Sequence, residues 1–124
     1  MLRSNPQLGR AIGVLLHPSA LPLSPACGGF GSSAREWVKA LALNGIGVWQ
    51  FLPLAPCDST GSPYSSPSSF AFNPWFLDAN DLAEEGFLSS PAIDEFSELE
   101  HLNINFVNFH VAEQRSKKLG QLLA

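Results

Sequence analysis

Apolar residues fall in short blocks separated by prolines and glycines, and the block lengths predict the elements. Ala11 to Leu16 is a continuous apolar run ended by His17-Pro18. Its length and proline stop predict a strand. Apolar character on both faces suits a parallel sheet covered on both sides. From Leu23 to Ser32 the sequence reads as a loop. Ala34, Trp37, Val38 and Leu41 then recur at i, i+3, i+4 and i+7, one stripe of a helix. Ser33 and Glu36 have the spacing of a capping box, and Asn44-Gly45 supplies the stop. Ile46 to Leu52 is a second apolar run, ended by Pro53. Residues 11–52 therefore read as a βαβ unit, in which both strands end at the same edge of a parallel sheet. Ligands of parallel α/β folds sit at that edge.

The pattern breaks at Pro53. Ser, Pro and Gly fill 11 of the 17 positions from 53 to 69, a composition that suits a linker. Yet Tyr64, Phe70, Phe72, Trp75 and Phe76 are threaded through residues 53–76, and aromatics supply the burial energy that linkers lack. We read this stretch as an ordered binding loop. Beyond it, Asn80 to Glu85 predicts a short helix stopped by Gly86. Ala92 to Asn105 is acidic and ambiguous. Phe106 to Leu123 predicts an amphipathic helix with Val107, Val111, Leu119, Leu122 and Leu123 as its apolar set.

Composition narrows the partners. Hydrophobic residues make up 45% and charged residues 15% of 124, which favours a surface partly covered by other chain. A net charge of -4 with one sparse basic run, Arg115, Lys117 and Lys118, argues against nucleic acid. No run approaches the roughly 20 apolar residues of a membrane span. The apolar stretch behind Arg3 and Arg10 is too short for a secretory signal. Cys27 and Cys57 have no metal-ligand or CxxC spacing and are expected as free thiols in the cytoplasm.

Candidate chemistry is sparse. Gly28-Gly-Phe-Gly31 before a helix fits neither the dinucleotide fingerprint nor the P-loop, so a structural turn is expected. No carboxylate pair marks the strand ends. Asp58 is a lone acid in the long loop, and His17, His101 and His110 lack metal spacing. No metal, no cofactor and no catalytic residue are assigned. Tyr64, Trp49 and Trp75 offer flat faces suited to sugar rings, with serine and asparagine groups for the hydroxyls. A protein interface could use the same residues.

Four blocks resemble the amylomaltases, the 4-α-glucanotransferases also called disproportionating enzymes. They are Gly13-Val-Leu-Leu-His-Pro-Ser-Ala-Leu-Pro22, Phe30-Gly31 through Trp37, Val48-Trp-Gln-Phe-Leu-Pro-Leu-Ala-Pro56, and Ser62-Pro-Tyr-Ser-Ser-Pro-Ser-Ser-Phe-Ala-Phe-Asn-Pro74. Ser19-Ala20, Gly29 and Phe72 depart from that pattern. The resemblance implies an α/β protein: the N-terminal part of a (β/α)8 barrel, with residues 1–124 giving two parallel strands, a crossover helix and a long loop at 53–76. It implies transfer of an α-1,4-glucan segment to the 4-hydroxyl of an acceptor, with retention through a carboxylate nucleophile and an acid/base carboxylate. Those carboxylates come later in the family's sequence. The chain alone is therefore expected to be inactive, with the remainder of the barrel as its missing partner. By resemblance, Tyr64, then Ser62, then Asn73 would contact the sugar. The alternative is a non-catalytic glucan-binding module or interaction domain that keeps the Ser-Pro-Tyr loop.

Overall fold

The computed structural model describes residues 10–22, 26–89 and 106–124. The acidic stretch from Ala92 to Asn105, with His101, lies outside them. Within them the order is β1 (Gly13–Leu15), α1 (Ser32–Leu43), β2 (Val48–Gln50), α2 (Ala79–Glu84) and α3 (Phe109–Leu123), with single 3-10 turns at Pro18–Ala20 and Pro74–Phe76.

The strands pair in parallel, Gly13 with Val48, Val14 with Trp49 and Leu15 with Gln50. Each is three residues long, shorter than its apolar run. Leu16 N donates to Gln50 O and Gly47 N to Ile12 O, both at 3.0 Å, which extends the ladder by one bond at each end. The expected cover on both faces is not found among the described residues. Ile12 is 70% exposed and Leu15 56%.

The core lies elsewhere. Ala26, Cys27, Trp75, Phe76, Val111 and Ala112 form one buried cluster, so the loop after β1, the second 3-10 turn and α3 pack on one another. Burying Trp75 and Phe76 contributes about 1.5–3 kcal/mol each. A second cluster joins Ala79 and Leu88 to Leu119 of α3. Ala26 has φ +61, rare for a residue with a Cβ, and its carbonyl accepts from Asn108 N at 2.6 Å. Asn108 Oδ1 in turn caps α3 by accepting from Val111 N.

The expected capping box at the start of α1 is corrected. Gly31 is the cap residue, without a side-chain cap bond, and Glu36 pairs with Lys39. Asp78 from the far side of the chain occupies this corner, since a Cβ on Gly31 would lie 1.9 Å from Asp78 Oδ2. Negative charge at a helix N-terminus is favourable, so Asp78 beside Gly31 complements the start of α1. Asp78 Oδ1 also caps α2, accepting from Asn80 N and Asp81 N. Along α1, Ala34 and Leu41 are buried, whereas Val38 is 49% exposed.

Candidate functional site

Both strands deliver the chain to one edge, and His17 joins their ends. Its Nδ1 accepts from the Ser19 hydroxyl at 2.8 Å and from Ser19 N at 3.4 Å, which leaves the proton on Nε2 to donate to Pro53 O at 3.4 Å. The ring meets Phe76 edge-on at 5.3 Å. Burial lowers the His17 pKa below 6.5, the Pro53 carbonyl opposing it in part, so the neutral ring is favoured. Trp49 Nε1 donates to Leu16 O at 2.7 Å and adds a second tie between the strand ends.

The glycine motif is structural, as expected. Gly28 N donates to Ser19 O and Phe30 N to Phe76 O, both at 3.0 Å. A Cβ on Gly28 would lie 2.0 Å from Pro18 O, so only glycine lets these backbones meet.

The loop from Pro53 is ordered, and Asp58 organises it. Its carboxylate accepts from the Ser65 hydroxyl, the Thr60 hydroxyl and Thr60 N. Those bonds, Ser65 first, hold the Asp58 carboxyl below its ordinary range. Asp58 N donates to Ser65 O at 2.9 Å, Gly61 N to Asp58 O at 3.0 Å, and Ser65 N to Ser62 O at 3.1 Å. Ser62 Oγ accepts from Tyr64 N at 3.3 Å, so Ser62 shapes the turn that carries Tyr64. Further on, Ser68 Oγ accepts from Ala71 N at 3.1 Å. The Tyr64 side chain stands 74% exposed. Gly61 and Pro63 line a cavity of about 230 Å³ together with His17, Trp75 and Phe109, which places the turn at the strand-end edge.

Asn73 and Trp75 require correction as sugar-facing residues. Asn73 is 1% exposed. Its Oδ1 accepts from Trp75 N at 3.0 Å, and its Nδ2 donates to Cys57 Sγ at 3.6 Å. The buried amide is already satisfied as the cap of the second 3-10 turn, so Asn73 positions the loop rather than touching a ligand. The Trp75 ring is buried, stacked on Phe109 at 5.5 Å, and its Nε1 donates to Glu113 Oε2 at 3.1 Å. Trp49 is half-buried among Phe30 and Phe51. Of the expected group, Tyr64 and Ser62 remain together on one turn.

Phe109 was missed by the sequence reading, and only a weak amphipathic pattern could have pointed to it. The carboxylates of Glu36, Asp58, Asp78, Asp81 and Glu113 each hold a structural hydrogen bond. Cys27 and Cys57 are free thiols. Among the described residues no group of His, Cys, Asp or Glu could hold a metal ion, and no helix is long and apolar enough to cross a membrane.

Comparison with known proteins meets this geometry. The profile of the 4-alpha-glucanotransferase family matches residues 16–123. The 4-alpha-glucanotransferase of Synechocystis sp. is 42% identical over 86 residues, which cover 69% of this chain and 17% of that protein. That of Thermus thermophilus is 44% identical over 82 residues, 66% of this chain and 16% of that protein. Among solved structures, the amylomaltase from Streptococcus agalactiae in complex with acarbose is similar with a TM-score of 0.79 and 32% identity. The similarity covers 93% of this chain and 23% of that one. The chain thus spans about a sixth to a quarter of the relatives it matches.

Proposed function

The chain belongs to the 4-alpha-glucanotransferase family, and from that premise we propose that it supplies the sugar-facing loop of a glucan-transferring (β/α)8 barrel. The carrying observation is Tyr64, displayed on a turn that Asp58 and Ser62 make rigid, at the strand-end edge where such folds bind ligands. The exposed faces of β1 and β2 support further barrel elements packing there. The acarbose complex of the Streptococcus agalactiae amylomaltase supports a maltooligosaccharide as the ligand.

In this reading Tyr64 stacks on a glucose ring beside the scissile bond, and Ser62 fixes the angle of that platform. The reaction is transfer of an α-1,4-glucan segment to the 4-hydroxyl of an acceptor, by retention through two carboxylates. The family resemblance puts those carboxylates later than the blocks matched here, so the chemistry is assigned to barrel residues beyond them. We place the protein in a reducing, cytoplasmic setting, where cysteines such as Cys27 and Cys57 stay thiols.

Titration of the 124-residue chain with maltoheptaose tests the binding role. Tyr64→Ala is expected to weaken affinity roughly three- to tenfold with unchanged circular dichroism. Equal affinity in a folded variant would remove Tyr64 from the sugar site. The chain alone is expected not to convert maltotriose into glucose and longer oligomers. Appearance of those products with pure protein would show that the catalytic groups lie within it.

A further inference from the structure

Helix α3 reaches the Tyr64 turn through one ring. Gly61 adopts φ +72, and a Cβ added there would lie 2.5 Å from both Cε2 and Cζ of Phe109. The Phe109 ring therefore presses on the backbone one residue before Ser62. The ring also stacks on Trp75, centroids 5.5 Å apart and planes 27° from parallel. Trp75 is held in turn by its bond to Glu113, one turn further along α3. The start of α3 is pinned by Asn108 N on the Ala26 carbonyl. Phe109 and Gly61 also line one cavity with His17 and Phe76, so removing the ring would open space directly beside the turn.

We propose that Phe109 is a positioning residue for the Tyr64 platform, wedging Gly61 so that α3 sets where the Ser62-Pro63-Tyr64 turn stands. The consequence for glucan affinity rests on the reading of Tyr64 as a sugar contact; the positional effect does not. Internal bonds to Asp58 shape the turn, and the Phe109 contact ties it to the core. Residues far from the ligand in sequence then govern binding through placement.

Tyr64 is the sole tyrosine of the chain, so incorporation of 3-fluorotyrosine gives one fluorine resonance that reports this position alone. Phe109→Ala is expected to shift that resonance and narrow it towards the free amino acid. It should also weaken maltoheptaose binding at least about threefold. Phe109→Trp, which keeps an aromatic ring without adding a second tyrosine, should restore both in large part. Gly61→Ala should perturb the resonance strongly in the Phe109 background and less in the Phe109→Ala background, because the clash is then relieved. If Phe109→Ala unfolds the chain, Phe109→Leu carries the same comparison. An unchanged fluorine line in a folded Phe109→Ala or Phe109→Leu chain would overturn the proposal, as would an equal Gly61→Ala effect in both backgrounds. Tyr64→Ala without effect on affinity would instead sink the sugar reading, and the fluorine comparison would still decide the wedge.

Discussion

Replacing Asn73 by alanine separates a structural asparagine from a ligand-binding one. The side chain is 1% exposed and caps the 3-10 turn that carries Trp75 and Phe76. Alanine leaves Trp75 N without its acceptor in a buried site, at about 1–3 kcal/mol. Loss of the bond to Cys57 and the small void left behind add about 1 kcal/mol. The backbone bonds from Asn73 N to Leu54 O and from Phe76 N to Asn73 O survive, which limits the damage. A loss of about 2–4 kcal/mol is a large part of the 5–15 kcal/mol that stabilises a typical domain. With a urea slope near 1–2 kcal/mol per molar, the unfolding midpoint should fall by about 2 M, followed by tryptophan fluorescence. Asn73→Ser keeps a capping oxygen and should fall between the two. A midpoint within about 0.3 M of wild type for Asn73→Ala would refute the buried-cap account.

Two further outcomes follow from the titrating groups. The Asp58 carboxyl titrates below its ordinary 3.8, chiefly through the Ser65 hydroxyl and then Thr60. Its contribution to loop order is therefore present above about pH 4 and is lost as pH falls through the lowered value. Amide exchange at Thr60 and Ser65 should rise in that window, and Asp58→Asn should abolish the pH dependence; a flat profile in wild type would contradict it. Burial pushes the Cys27 thiol up to about 12. Iodoacetamide at pH 8 should therefore reach half-buried Cys57 and spare Cys27 until the chain unfolds, as peptide mass spectrometry would read. Equal labelling of both in the native chain would refute the burial of Cys27.

The apolar runs bounded by His17-Pro18 and by Pro53 carried enough signal to locate both strands and their parallel pairing. They overstated the lengths because an apolar run records eventual burial, whereas a ladder records only paired backbone. The start of α1 was misplaced since its anion comes from Asp78, a contact no local window contains. Asn73 was legible in principle: asparagine followed by proline is the signature of a capped turn, and its polarity was read instead as affinity for a ligand. The resemblance to a sugar-transferring family carried the assignment of Tyr64 and Ser62, since composition alone did not favour a sugar over a protein interface. The docking of α3 on the loop after β1 was not legible, because the bond from Asn108 N to Ala26 O and the packing of Val111 and Ala112 with Ala26 and Cys27 join segments far apart in sequence.

The turn bearing Tyr64 is stitched by hydroxyls and one carboxylate, with scarcely any apolar filling of its own. Residues such as Ser69 and Phe70 hang outward from that stitching, and Phe70 is wholly exposed. Natural variation can therefore rewrite the outward side chains while strands and helices stay untouched. Selection acting on what this edge binds would find its raw material in this segment, where exchange of a side chain disturbs neither the sheet nor the core.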